Sequence, residues 1–306
     1  MVSFYADGAS ISLSEQGDEY SFKAARNESG LVDLVFRRVT PGFQVGKNGT
    51  TYYGTDPEQP WGEMRHRFWP RCAVTGTIVT PETSYDFKGR GCFVHAIQGM
   101  KPHHAAAMWD FVTFQTPTYS AVMMEFTTPA AYASTRVNVG GVVRDNEIVY
   151  AGATNTVKHL ESKEDPETNW PEPISMEYKW EGKTKNGQLS ATLSGPLGDR
   201  LDRIDVLFNI PSIIKSLVGG VVGTKPYVYQ VRYLIVTHQL FSNTGVVFQL
   251  PTGFSCSLYQ EWRRCSCRGT GGILQRNEFH LIMQGHIFHD VCLYEYNFCL
   301  FRIGTQ

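Results

Sequence analysis

An all-β fold, a sandwich or barrel of short antiparallel strands, is what this sequence predicts. Three observations lead there. Apolar and polar residues alternate with period two through much of the first 200 residues, the pattern of strands with one wet face. Glycine-rich turn segments punctuate the runs, and stretches with helical spacing are few.

The elements follow in chain order. "ISLSE", "EYSFKAA" and "LVDLVFRRV" read as short strands. From Thr40 to Arg71 the chain is rich in glycine, proline and large rings, shows little period, and is expected to be irregular. "GTIVTPE" and "SYDFKGRGCFVHAI" give two more strands, and "HHAAAMW" has helix formers for a turn or two. "YSAVMMEFTTP" puts Val122, Met124 and Phe126 on one face and Ala121, Met123 and Glu125 on the other. "TRVNVGGVVRDNEIVYAGA" is a strand pair around Asp145-Asn146, and "ESKEDPETNWPEPI" reads as a polar, proline-rich loop. "SMEYKWEGK" alternates Met176, Tyr178 and Trp180 with Glu177, Lys179 and Glu181. With "GQLSATLSG" it makes a hairpin whose tight turn is expected at Asn186-Gly187. "PSIIKSLVGGVVG" starts with proline and ends in glycines, as helices do.

The 306 residues suffice for one large domain, or for two of about 100–150 residues with a core each. A hydrophobic share of 42% with 19% charged residues marks a globular chain. The net charge of −1 gives no footprint for nucleic acid, so no nucleic-acid partner is expected. "MVSFYADGAS" is not a secretory leader. The longest apolar stretch, Ile210 to Val222, is interrupted by Pro211 and Lys215 and falls short of the roughly 20 residues that span a bilayer. Cys72 and Cys92 are isolated, which fits a reducing compartment. Cys256, Cys265, Cys267, Cys292 and Cys299 crowd the end and break that usage.

Several constellations invite chemistry. His103 and His104 are adjacent, so on a strand they point to opposite faces, and neither has an i, i+4 partner. A structural or ligand-orienting role therefore outweighs metal ligation. The late cysteines lack CxxC spacing, and no GxSxG, Walker A or GxGxxG motif occurs. Asp199, Asp202 and Asp205 alternate with arginines in "GDRLDRIDV" and read as a solvated, ion-paired face. The rings say more. Trp61, Phe68 and Trp69 bracket "MRHRF", while Trp109, Phe111, Phe114 and Tyr119 follow the double histidine, among Met100, Met108, Met123 and Met124. They form either ordinary core or the wall of an apolar cavity for a lipid-sized ligand.

"GTDPEQPWGEMRHRFWPRC", "HAIQGMKPHHAAAMWDFVTFQTPTYSAVMMEFTTP", "DPETNWPEP" and "GTKPYVYQ" closely resemble the fungal survival factor 1 family. The resemblance runs from about Ser3 to Gln230. It implies two lipocalin-like antiparallel β-barrels, an N-terminal domain over residues 1–92 and a C-terminal one over 93–230, divided near Phe93. It further implies a carrier that moves ceramide or a similar sphingolipid from the endoplasmic reticulum to the cis-Golgi and supports survival of oxidative stress. Catalysis, cofactor and metal are not implied. The expected location is cytoplasmic, peripheral at both membranes through transient contacts, with the nucleus as a further place.

Two departures from the family accompany the resemblance. Its members carry an N-terminal segment with an amphipathic membrane-targeting helix and the first strands of barrel one, and this chain starts after them. Both barrels are thus expected to be incomplete. Residues 231–306 read as a tail foreign to the family, from translated intron and out-of-frame exon; "QVRY" can be encoded with the form of an intron donor site. The ligand-binding residues expected are Trp61, Trp69, His103, His104, Trp109, Phe111, Phe114, Tyr119, Met124 and Phe126. The alternative is a lipocalin-like enzyme, a hydratase or isomerase acting on an apolar substrate, with the histidine pair and Asp110 moving a proton.

Overall fold

A computed structural model describes residues 3–6, 8–25, 30–56, 58–98, 105–185, 187–205, 227–233, 246–247, 277–284 and 297–305. Strands dominate, with 3-10 turns at Lys47–Gly49 and Ala130–Tyr132. The first sheet contains β1 (Phe4–Ala6), β2 (Ala9–Leu13), β3 (Glu19–Ala25), β4 (Leu31–Arg38), β5 (Thr50–Tyr53), β6 (Gly62–Val79) and β7 (Ser84–Gln98). They run in the order β1-β2-β3-β4-β6-β7, all antiparallel, and β5 pairs with the start of β6. β8 (Met108–Gln115), β9 (Tyr119–Thr127), β10 (Arg136–Arg144) and β11 (Glu147–Gly152) form a meander. The third sheet joins β12 (Thr156–Asp165), β13 (Trp170–Thr184), β14 (Gly187–Asp205) and β15 (Tyr227–Tyr233) in that order. Among the described residues no sheet closes on itself.

Strands β6 and β7 pair over most of their length, and their two faces serve two different cores. On one face Trp69, Cys72, Val74, Ile78, Phe87 and Phe93 pack with Tyr20, Phe22, Leu34 and Phe36 of β3 and β4. On the other, Phe68, Cys92 and Val94 join the core of the C-terminal lobe. A bulge makes this possible. Between the pairs Trp69↔Phe93 and Cys72↔Gly91, β6 carries one residue more than β7. The extra residue reverses which parity faces inward, so Trp69 and then Cys72 and Val74 share one face. Pro70 sits in the bulge, where its missing N–H costs no ladder bond. Residue 93 itself lies within β7.

The bulge is pinned to the second sheet by a closed set of hydrogen bonds. Arg71, buried, donates to Ser120 Oγ at 3.0 Å and to the Pro117 carbonyl. Ser120 donates to Gln115 Oε1 at 2.6 Å, and Gln115 Nε2 returns to the Pro70 carbonyl at 2.9 Å.

The second sheet is buried on both sides. Phe43, stacked on Phe68 at 4.9 Å, presses against Gly141 on one side. On the other, Trp180 of β13 packs on Gly140 and donates its indole N–H to the Val122 carbonyl at 3.0 Å. A Cβ on Gly141 would lie 2.6 Å from the Phe43 ring, so the backbone approach requires glycine.

Several sequence readings are corrected. Gly62 to Arg71, expected to be irregular, is the first half of β6. Met64, His66 and Phe68 do alternate with Glu63, Arg65 and Arg67, but a histidine on the buried face hid the period. "ESKEDPETNWPEPI" shrinks to a turn over 166–169, and its flanks are the ends of β12 and β13. β12 is an edge strand, which accepts a run of charges, and Pro171 and Pro173 pair with β12 alone. "GDRLDRIDV" is not a purely solvated face. Arg200 and Arg203 reach inward to the fully buried Asp165, at 3.2 and 2.9 Å, and Tyr229 donates to it at 3.0 Å. The hairpin of β13 and β14 pairs Thr184 with Gly187, so Gly187 belongs to β14 rather than to the turn expected at Asn186-Gly187. The Asp145-Asn146 turn stands, with φ of 49° and 67°, the mirror-image geometry that hairpin twist favours. The "PSIIKSLVGGVVG" helix lies outside the described residues. From the tail, β16 (Val246–Val247) lies parallel to β14, and β17 (Asn277–Gln284) pairs with β18 (Asn297–Thr305), which runs parallel to β7.

Candidate ligand-binding site

The expected site residues fall in separate places. Trp69 belongs to the N-terminal core, with Tyr20 at 4.9 Å, Phe93 at 5.4 Å and the Arg38 guanidinium over its ring. Trp109, Phe111, Met124 and Phe126 share the face of the second sheet turned toward β6. Trp109 stacks near Phe126 at 5.7 Å and meets His66 edge-on at 6.3 Å. Phe114 points to the other face, as alternation requires. Tyr119 is half-buried at the β8–β9 turn beneath Arg144, and Trp61 is exposed, stacked on Tyr132 at 4.6 Å. The eight of these ten that are described therefore do not share one face or one core. His103, His104 and Met100 lie outside the described residues.

A different group converges. Across β8, β9 and β10, Asp110, Glu125 and Asn138 stand directly opposite one another. All three are buried, and they face β12. His159 from β12 meets Asp110 Oδ1 through Nε2 at 2.9 Å. Glu125 accepts from Asn138 Nδ2 at 3.0 Å and pairs with Arg136 at 3.3 Å. Asn155 extends the chain, donating to Asn138 Oδ1 at 2.8 Å. Asp110, Glu125, Arg136 and His159 border a cleft of about 440 Å³ between the edge strands β8 and β12, lined also by Met108, Val157, Lys158 and Leu160. Its size lies in the range of small-molecule sites.

The electrostatics are unusual for a sheet. Like charges directly opposite on paired strands repel. Burial, opposed by Asn138 and Arg136 and reinforced by Asp110, raises the Glu125 carboxyl above its ordinary value. The hydrogen bond to Asp110 raises the His159 imidazole against the opposing effect of burial. Nearby, burial and the neighbouring His95 push His66 down to about 3, and no partner meets its Nε2. Among the described residues no group of three or more His, Cys, Asp or Glu could hold a metal ion.

Sequence reasoning singled out Asp110 beside the His103-His104 pair, which lies outside the described residues; the structure sets His159 against it. It missed His159, hidden in a charged run, and Glu125 as a site residue. A signal existed: "MWDFVTF" and "VMMEFTT" each carry one carboxylate inside an apolar strand.

The Svf1 family model matches residues 1–248. The chain belongs to the Svf1 family. The match runs past Gln230. A protein of Aspergillus fumigatus named ceramide-binding protein svf1 is 57% identical over 238 residues, covering 78% of this chain and 60% of that protein. Its namesake in Emericella nidulans is 58% identical over 231 residues, covering 75% and 61%, and that of Schizosaccharomyces pombe is 43% identical over 232 residues, with the same two shares. The chain spans about three-fifths of the length of these relatives. Among solved structures, kievitone hydratase from Nectria haematococca is 13% identical, with a TM-score of 0.38 over 57% of this chain and 53% of that one, a likeness too loose to argue from.

Proposed function

We propose that this Svf1-family protein binds a ceramide-class sphingolipid and carries it from the endoplasmic reticulum to the cis-Golgi, supporting survival of oxidative stress. One observation carries the reading: relatives 57% and 58% identical over more than 230 residues are named as ceramide-binding proteins. The architecture supports it. Both cores are rich in rings or methionine, and each lipid methylene withdrawn from water would contribute about 0.8 kcal/mol. A carrier of this kind needs no catalytic step. It works from the cytoplasm through transient contacts with the two membranes, with the nucleus as a further location.

Native mass spectrometry with a panel of sphingolipids and phospholipids tests the binding. Ceramide is expected to be retained over a phospholipid of equal chain length, and equal retention would end the reading. Transfer of labelled ceramide between donor and acceptor vesicles tests carriage.

The Asp110–His159 pair beside Glu125 favours a second reading, proton transfer on an apolar substrate by a hydratase or isomerase. It predicts turnover. An apolar substrate recovered with the mass of one water added, or as an isomer, would replace the carrier.

A further inference from the structure

We infer that the cleft between β8 and β12 receives the polar head of the lipid, with the Asp110 and Glu125 carboxylates accepting hydrogen bonds from its hydroxyls and amide N–H. The inference rests on the ceramide reading of the preceding section and adds a place and a chemistry to it.

Four observations converge. First, Asp110 and Glu125 are opposed across a strand pair, with only 8% and 2% of each residue exposed. An arrangement that repels itself out of water costs the fold stability, and such costs accumulate where a site needs the groups. Second, the cleft has room. Its volume of about 440 Å³ lies in the range of small-molecule sites, enough to receive a polar head.

Third, the lining is graded. The carboxylates of Asp110 and Glu125 are polar lining, while Met108 and Leu160 are large apolar side chains left 41% and 48% exposed. An amphipathic ligand seated head-inward would cover both.

Fourth, the cations are already committed. Arg136 pairs with Glu125, Lys158 with Glu177 at 3.4 Å, and His159 with Asp110. A phosphate brought into the cleft would face two carboxylates with no cation to spare among these three. An uncharged head with several O–H and N–H donors suits the carboxylates instead, because hydrogen bonds to ionised acceptors are among the stronger ones.

Binding of ceramide, ceramide 1-phosphate and sphingosine to the full chain by native mass spectrometry and lipid titration tests this. The wild type is expected to bind ceramide at least tenfold more tightly than the phosphate. The Asp110→Asn/Glu125→Gln double variant is expected to lose tenfold or more in ceramide affinity while its melting temperature holds or rises. Leu160→Glu changes an exposed residue, so folding is not at stake, and it should weaken ceramide binding several-fold.

If the wild type binds ceramide and both variants bind it equally well, the head lies elsewhere and the inference falls while the carrier reading stands. Preference for ceramide 1-phosphate or for sphingosine would overturn the inference in the same way. A wild type that binds no ceramide would remove both.

Discussion

Gly141 and Phe43 show how single residues set the spacing of the layers. The ring lies where a Cβ would be, 2.6 Å from its edge atoms. Gly141→Ala is expected to cost about 1–3 kcal/mol, the usual penalty for overpacking a filled core, measured by urea unfolding. His66 makes a second prediction at this scale. It is buried, neutral, and depressed to about 3 by burial and then by His95. A group with a lowered folded pKa contributes stability above its unfolded value near 6.5, and that stability is lost as pH falls toward the folded one. Its share of the loss approaches about 1.4 kcal/mol per pH unit between those limits. His66→Phe should flatten that limb of the stability–pH profile; an unchanged slope would show that His66 takes up no proton on unfolding. Glu125 and His159 act in the opposite sense. Their raised values give stability that is present at low pH and lost as pH rises through them.

At the scale of elements, the β6 bulge decides most. Arg71 holds it to the β8–β9 turn through Ser120 and the Pro117 carbonyl. Arg71→Met keeps the length and apolar stem but removes the donor to the buried Ser120 Oγ. A loss of about 2–4 kcal/mol is expected in urea unfolding, whereas Arg37→Met, on an exposed pair with Glu19, should stay within about 0.5 kcal/mol. Strand identity was largely legible in the sequence, because Met176, Tyr178 and Trp180 keep strict alternation and Asp145-Asn146 is a strong turn signal. The bulge was not, since nothing local in "FWPRC" says that the face changes there. β12 was not legible either, because an edge strand tolerates the charges that otherwise mark a loop. The candidate cleft was half legible. Two carboxylates in apolar strands are visible in the chain, but their opposition depends on the register of β8 with β9.

At the scale of the whole molecule, two cores are built on one pair of strands, and described strands after residue 233 pair with both the first and the third sheet. β18 continues the first sheet beyond β7, and β16 lies on β14. The crowding of cysteines after residue 255 and the end of the family match at 248 set the residues beyond 248 apart. Sequencing the transcript across codons 230–248 tests whether a spliced message leaves this reading frame there. A continuous message as the dominant species, with a folded product, would make the segment genuine.

The shared β6–β7 ribbon also bears on how the chain reaches this state. Its two strands are joined by four residues, so closing that loop costs little chain entropy, and the ribbon can form early from contacts near in sequence. Each of its faces then offers a partner surface, to β3 and β4 made before it and to β8 to β10 made after it. Mutations within the ribbon, such as Val74→Ala or Val94→Ala, should therefore slow refolding, while Leu193→Ala, far along the chain, should chiefly quicken unfolding. Stopped-flow refolding and unfolding rates would separate the two. The strand pair that both lobes lean on is, in time as well as in space, where assembly starts.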